Sequence, residues 1–156
     1  MSGSDRVDLV VAALRAGGGE AEVRRFDEPV PTAAAAAQAL GCEVGAIANS
    51  LVFDADGTPL LVLASGAHRV DTAKLAALIG AQRVRRASPE FVLAATGQQV
   101  GGVAPVGHPA PLRTVVDTDL AAFPVLWAGG GDHHTMVAVT YEDLLRLTGG
   151  EAAPVA

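Results

Sequence analysis

Two stretches of the chain carry the residue types from which a site could be built. The first is "GGVAPVGHP", residues 101–109, where paired glycines are followed by Pro105, His108 and Pro109. Glycine lets backbone approach another group closely or adopt positive φ. Proline fixes φ and removes an N–H donor. A loop of this make-up is rigid and presents bare main chain, which suits either a connector or the wall of a pocket. The second stretch is "IANSLVF", residues 47–53, an apolar strand interrupted by Asn49 and Ser50. Side chains alternate across a strand, so polar ones inside an apolar run face either a cavity or solvent at an edge.

Other chemistries find little support. There is no GxSxG elbow and no phosphate-binding P-loop, and "GGGE" and "GGGD" do not match a dinucleotide fingerprint. One cysteine, Cys42, and four histidines give no zinc-ligand spacing. Asp132-His133-His134 reads either as a weak metal site or as a polar loop leading into a strand. Neither a metal nor a cofactor is called for. A lone cysteine also excludes a disulfide framework and fits a reducing cytoplasm.

The elements that must position these stretches follow from periodicity and punctuation. Residues 5–16 carry Val7, Val10, Val11 and Leu14 at helical spacing before Gly17–Gly19, and "AEVRRFD" follows as a strand. Thr32 caps a helix that runs to Leu40 and closes at Gly41; Asp71 caps "TAKLAALIG"; Ser88-Pro89-Glu90 opens a helix that ends at Gly97. "AIANSLVF" and "LLVLASG" flank "DADGTP" and form a hairpin. "RVRRAS", "LRTVVD", "PVLWAGG" and "TMVAVT" read as strands, with a short helix "TDLAAF" between the middle two. Thr140 and Asp143 have capping-box spacing ahead of "YEDLLRLTGG". The result is one α/β domain over residues 1–150, with a mixed, largely antiparallel sheet of about seven strands and helices packed around it. The tail "EAAPVA", residues 151–156, is expected to fray.

Composition bounds the rest. The chain has 156 residues, half of them hydrophobic and few aromatic, so one core of Val, Leu, Ile and Ala is expected. A net charge of −6 lacks the broad basic face of a general nucleic-acid binder. Any nucleic-acid contact is then local, to an end. The N-terminal stretch is too short and charged for a signal peptide, and no run approaches the roughly 20 apolar residues of a membrane span.

"CEVGAIANSLVFDADGTPLLVLASGAHRVDTAKLAALIG", "ATGQQVGGVAPVGHP" and the closing "AGGG…MVAVTYEDLLRLTGG" resemble the YbaK/EbsC family of aminoacyl-tRNA deacylases. That family is similar to the editing domain inserted in bacterial prolyl-tRNA synthetases. The likeness runs from about residue 20 to 150, and its most specific element is the G-x-x-x-P loop from Gly101 to Pro105. The resemblance implies editing in trans: hydrolysis of the ester that joins a wrong amino acid to the tRNA 3′ end, in the cytoplasm, with passing contact to a synthetase or elongation factor. It implies no cofactor and leaves the oligomeric state and the amino acid open. Ester hydrolysis puts negative charge on the carbonyl oxygen, and preorganised backbone N–H groups stabilise it. Gly101, Gly102, Val103 and Ala104 are the expected donors, Pro105 holds the loop's shape, and a bound water is the nucleophile.

Asn49, Ser50, Ser65, Gly66 and His108 are the expected substrate contacts. His108 reads equally as a satisfied turn histidine. Where many family members carry lysine, this chain has Asn49, in "Asn49-Ser50-Leu51-Val52". Asparagine brings no charge, so either affinity is weaker or another cation substitutes; Lys74 and Arg69 are the candidates, and they read equally as solvated surface charge. His134 lies near a histidine that functions in the synthetase domain. Arg83, Arg85 and Arg86 read either as phosphate contacts or as a solvated face. Asn49 also motivates a second class, a non-catalytic binding module for aminoacyl-tRNA or a small acyl ligand. A third is a hydrolase of simple amino-acid esters.

Overall fold

A computed structural model describes residues 3–18 and 22–156. Gly19 and Ala21, at the edges of two expected elements, lie outside the described residues. The α-helices are α1 (Gly3–Ala16), α2 (Ala33–Leu40), α3 (Thr72–Ile79), α4 (Pro89–Thr96) and α5 (Tyr141–Thr148). The strands are β1 (Val23–Arg25), β2 (Ile47–Ala55), β3 (Thr58–Ser65), β4 (Val84–Arg86), β5 (Arg113–Asp117), β6 (Leu126–Gly129), β7 (Thr135–Val139) and β8 (Glu151–Ala153). They form one mixed sheet in the order β1-β7-β6-β2-β3-β5-β8, with β4 also pairing to β2.

The expected local signals act where the sequence puts them. Thr32, Asp71, Ser88 and Thr140 accept the backbone N–H three residues on, each at 3.1 Å, and Thr140 with Asp143 completes a capping box. The hairpin closes through Asp56 and Gly57, both at positive φ (52° and 89°), the geometry of a two-residue turn that matches strand twist. The Asp56 carboxylate also accepts from the N–H groups of Gln82 and Arg83, at 2.8 and 2.9 Å, which tethers the approach to β4.

β3 is buried on both faces, and its side chains divide by parity. Leu61 and Leu63 join Val10 and Leu14 of α1, Val92 of α4 and Leu144 of α5 on one face. Leu60, Val62 and Ala64 join Leu75 of α3 on the other. A third cluster packs Ala36 and Ala37 of α2 on Ile47 and Met136.

One expectation changes, that of the tail. The sheet has four antiparallel and three parallel pairings, and an eighth strand comes from the tail that was expected to fray. β8 runs parallel to β5, Val155 is fully buried, and Asp71 N–H donates to Val155 O at 2.8 Å. The open edge of β5 offers a row of unpaired backbone groups, and a short apolar tail satisfies them.

Candidate active site

β2 has two neighbours on the edge away from β3, one at each end. β6 pairs with Ile47 and Ala48, and β4 pairs with Phe53, Asp54 and Ala55. Residues 49–52 between them have no strand alongside, so the sheet forks. A cavity of about 410 Å³ fills the fork. β2 lines it with Asn49 and Ser50, as the interrupted strand suggested. Pro31, Thr32 and Ala33 close it from the start of α2, and Arg86 from the end of β4. Gly101 and Val103 of the glycine loop complete the wall.

The loop reaches the fork because of its glycines. Gly101 has φ +87°, and a Cβ there would stand 3.3 Å from Pro31 O and 3.4 Å from His133 Nε2. A Cβ on Gly102 would meet the Asp132 backbone at 2.9 Å. Behind the loop sits buried Gln98. Its Oε1 accepts from Ala104 N–H at 2.7 Å and its Nε2 donates to Val106 O at 3.3 Å. Gly102 N–H donates to Gln99 O at 2.9 Å.

These bonds correct the expectation of one continuous row of donors. Gly102 and Ala104 use their N–H groups inside the protein, and neither lines the cavity. Gly101 and Val103 line it, and their N–H groups have no partner among the described residues. A buried amide left unpaired costs about 1–3 kcal/mol, so a tight loop keeps only those amides free that face an opening. Pro105 points the other way, into the wall of a second cavity.

His108, Ser65 and Gly66 also lie away from the fork. His108 lines the second cavity, and its Nε2–H donates to Ala104 O at 2.8 Å. Burial pushes its pKa below the usual histidine value, and the bond to Ala104 partly opposes that. The Ser65 hydroxyl donates to Gly45 O at 2.9 Å, and its N–H donates to Asp117 Oδ2 at 3.0 Å. Gly66 is pressed against Val44 O, 2.5 Å from where a Cβ would be. None of the three lines the fork cavity. Residues 132–134 do not converge either: His133 Nε2–H donates to Val100 O and His134 Nδ1–H to Phe26 O, at 2.8 and 3.0 Å. Among the described residues the one clustered ligand set is His68, Asp117 and Asp119, in which His68 already bridges both carboxylates at 2.8 and 3.0 Å.

Neither of the two candidate cations lines the fork. Lys74 Nζ donates to Ala156 O at 2.9 Å, and Arg69 is exposed away from the cavity. Arg85 pairs with Asp54 at 3.3 Å. Arg86 alone of the charged residues lines the fork, and it makes no ion pair among the described residues. In a three-arginine run the strand register decides which one turns to the pocket, so only pairing with β2 could single it out.

Similarity to known proteins agrees with this geometry. Among solved structures, one assigned provisionally as a trans-editing enzyme for prolyl tRNA synthetase is 40% identical, with a TM-score of 0.90 and 96% of each chain covered. The hypothetical protein APE2540 superposes with a TM-score of 0.87 at 30% identity, over 94% of this chain and 98% of the other. The uncharacterised protein YwhH of Bacillus subtilis is 29% identical over 126 residues, 80% of each chain. A proline–tRNA ligase of Nitratidesulfovibrio vulgaris is 34% identical over 125 residues; the match takes in 74% of this chain and 22% of that enzyme. The family model described as the aminoacyl-tRNA editing domain matches residues 27–147, and the chain belongs to that family.

Proposed function

We propose that the protein is an aminoacyl-tRNA deacylase that hydrolyses the ester of a mischarged tRNA in trans. The observation that carries this reading is the fork cavity itself. In a chain of the editing-domain family, it holds unpaired backbone donors from Gly101 and Val103 and a single cation, Arg86.

The aminoacyl ester enters the fork, and the terminal adenosine lies toward its mouth. Gly101 and Val103 N–H groups stabilise the oxyanion as water attacks the carbonyl carbon. Each such donor is worth roughly 10²–10³ in rate. No carboxylate or histidine is among the residues lining the cavity, so water is held by hydrogen bonds and not by a side-chain base. Arg86 takes a phosphate near the tRNA end. A charge-assisted bond is roughly twice as strong as a neutral one, and Asn49 supplies only the neutral kind. Contact between one end of tRNA and one arginine suits a protein whose net charge is −6. The setting proposed is the cytoplasm; no described helix is long and apolar enough to cross a membrane.

Incubation with a panel of mischarged tRNAs, on the natural chain and on Asn49→Lys, tests the reading. Accelerated release of at least one amino acid is expected. Rates at the uncatalysed background for every tRNA would overturn it. The neutral Asn49 favours one second reading, an aminoacyl-tRNA binding module, and tight binding with no turnover in either protein would establish that instead.

A further inference from the structure

The hydrogen-bond parity of β2 identifies which main-chain groups open into the fork. Gly66 N–H donates to Ile47 O, which places the odd residues of β2 on the ladder to β3. The even residues therefore point to the opposite edge. Asp56 N–H to Arg83 O continues that edge onto β4, and the pairing of Phe53 with Arg86 engages Val52 O. Ala48 is engaged by β6. What remains is Ser50 N–H, Ser50 C=O and Val52 N–H, with no partner among the described residues. The Ser50 hydroxyl is buried and unpartnered too.

Ser50 and Val52 are half-buried, and backbone withdrawn from bulk water rarely stays without a partner. The row reads donor, acceptor, donor. A peptide strand would satisfy it, but β4 and β6 close both ends, leaving about 13 Å of edge at 3.3 Å per residue. That span admits no more than about four residues, so a short ligand fits it and an extended strand does not. An α-amino acyl group supplies the cationic donor that Ser50 C=O calls for, while its carbonyl stays with the Gly101 and Val103 N–H groups.

We propose that this open edge of β2 recognises the main-chain end of the aminoacyl group, so that a free α-amino group is required whatever the side chain. The inference rests on the deacylase reading for the identity of the ligand.

The test titrates ¹⁵N-labelled protein with 3′-deoxy-3′-(L-alanylamino)adenosine, a non-hydrolysable ester mimic, and with its N-acetyl derivative. Acetylation removes the charge and the donor that Ser50 C=O would receive. Shifts of the Ser50 and Val52 amides are expected with the free amine, and binding about tenfold or more weaker with the acetylated form. Equal affinity for the two, or no shift at Ser50 and Val52, overturns the proposal. Turnover separates it from the deacylase reading. Equal hydrolysis of aminoacyl- and N-acetyl-aminoacyl-tRNA removes this inference and leaves that reading. Amine-dependent shifts at Ser50 without hydrolysis of any tRNA do the reverse.

Discussion

The glycine loop passes between two cavities, and they differ in what they offer a ligand. The cavity behind the loop is the larger, about 620 Å³ against about 410 Å³ in the fork. It holds more obviously reactive side chains, His108 and Arg146 among them. Yet those groups already have partners. His108 donates to Ala104 O, Arg146 reaches both Gly17 O and Asp143, and the Thr148 hydroxyl donates to Leu144 O. The fork is lined by bland residues, but the amides of Ser50, Val52, Gly101 and Val103 and the Arg86 guanidinium have none. Unused hydrogen-bonding capacity, more than volume or residue type, marks a site that can hold a polar substrate.

Substitutions at four positions would break or sharpen that contrast. Gly101→Val should have the largest effect. At φ +87° with Pro31 O close by, a branched side chain both strains the backbone and intrudes on the fork. Deacylation should fall by about 10²-fold or more while circular dichroism shows a folded protein, since the removed space faces an opening. Gly101→Ala should fall between the two. Unchanged turnover in either would show that the loop is not at the site.

Next comes Gln98→Leu, which strikes the back of the loop. It leaves Ala104 N–H and Val106 O buried without partners, at about 1–3 kcal/mol each. A clear fall in melting temperature is expected, larger than its effect on KM. Arg86→Ala should raise KM about tenfold with little change in kcat, and should flatten the salt dependence, while Arg86→Lys keeps most of the affinity. Equal salt slopes in all three proteins would remove Arg86 from phosphate binding.

The smallest effect belongs to His108→Asn, in the satisfied cavity. Turnover should be nearly unchanged. Because burial holds the folded-state pKa of His108 below its ordinary value, the unfolded chain takes up the proton first as pH falls. Stability should therefore be fully present above about pH 6.5 and decline as pH drops through and below it. The variant should show a shallower decline on the acid side in denaturant titrations. A steeper one would mean that His108 is charged in the fold.

Much of the fold was legible because its signals are local. Each cap at Thr32, Asp71, Ser88 and Thr140 needs only a side chain and an amide three residues away, and the Asp56-Gly57 turn needs only two residues at positive φ. The interruption at Asn49 and Ser50 was legible for the same reason: polarity inside an apolar alternation states that something other than core lies alongside. The placement of Ser65, Gly66 and His108 was not legible. Each has a polar or glycine signature that suits a pocket, but Ser65 and Gly66 are taken up by neighbours distant in the chain, Gly45 and Asp117 for Ser65 and Val44 for Gly66, and His108 turns back on Ala104.

By itself, the order of residues determined the helices, the hairpin, the small-residue loop of 101–105 and the absence of any side-chain nucleophile motif, since these depend on types and short spacings. Only the tertiary structure decided that β6 and β4 meet β2 at opposite ends and leave a gap. It also decided that Arg86 and not Lys74 faces that gap, and that alternate amides of the loop are free. The gap and the choice of Arg86 turn on the register between strands far apart in sequence, and the loop amides on bonds to Gln98 and Gln99. Register is set by which faces the whole molecule buries, and a shift of one residue would turn a different arginine toward the gap.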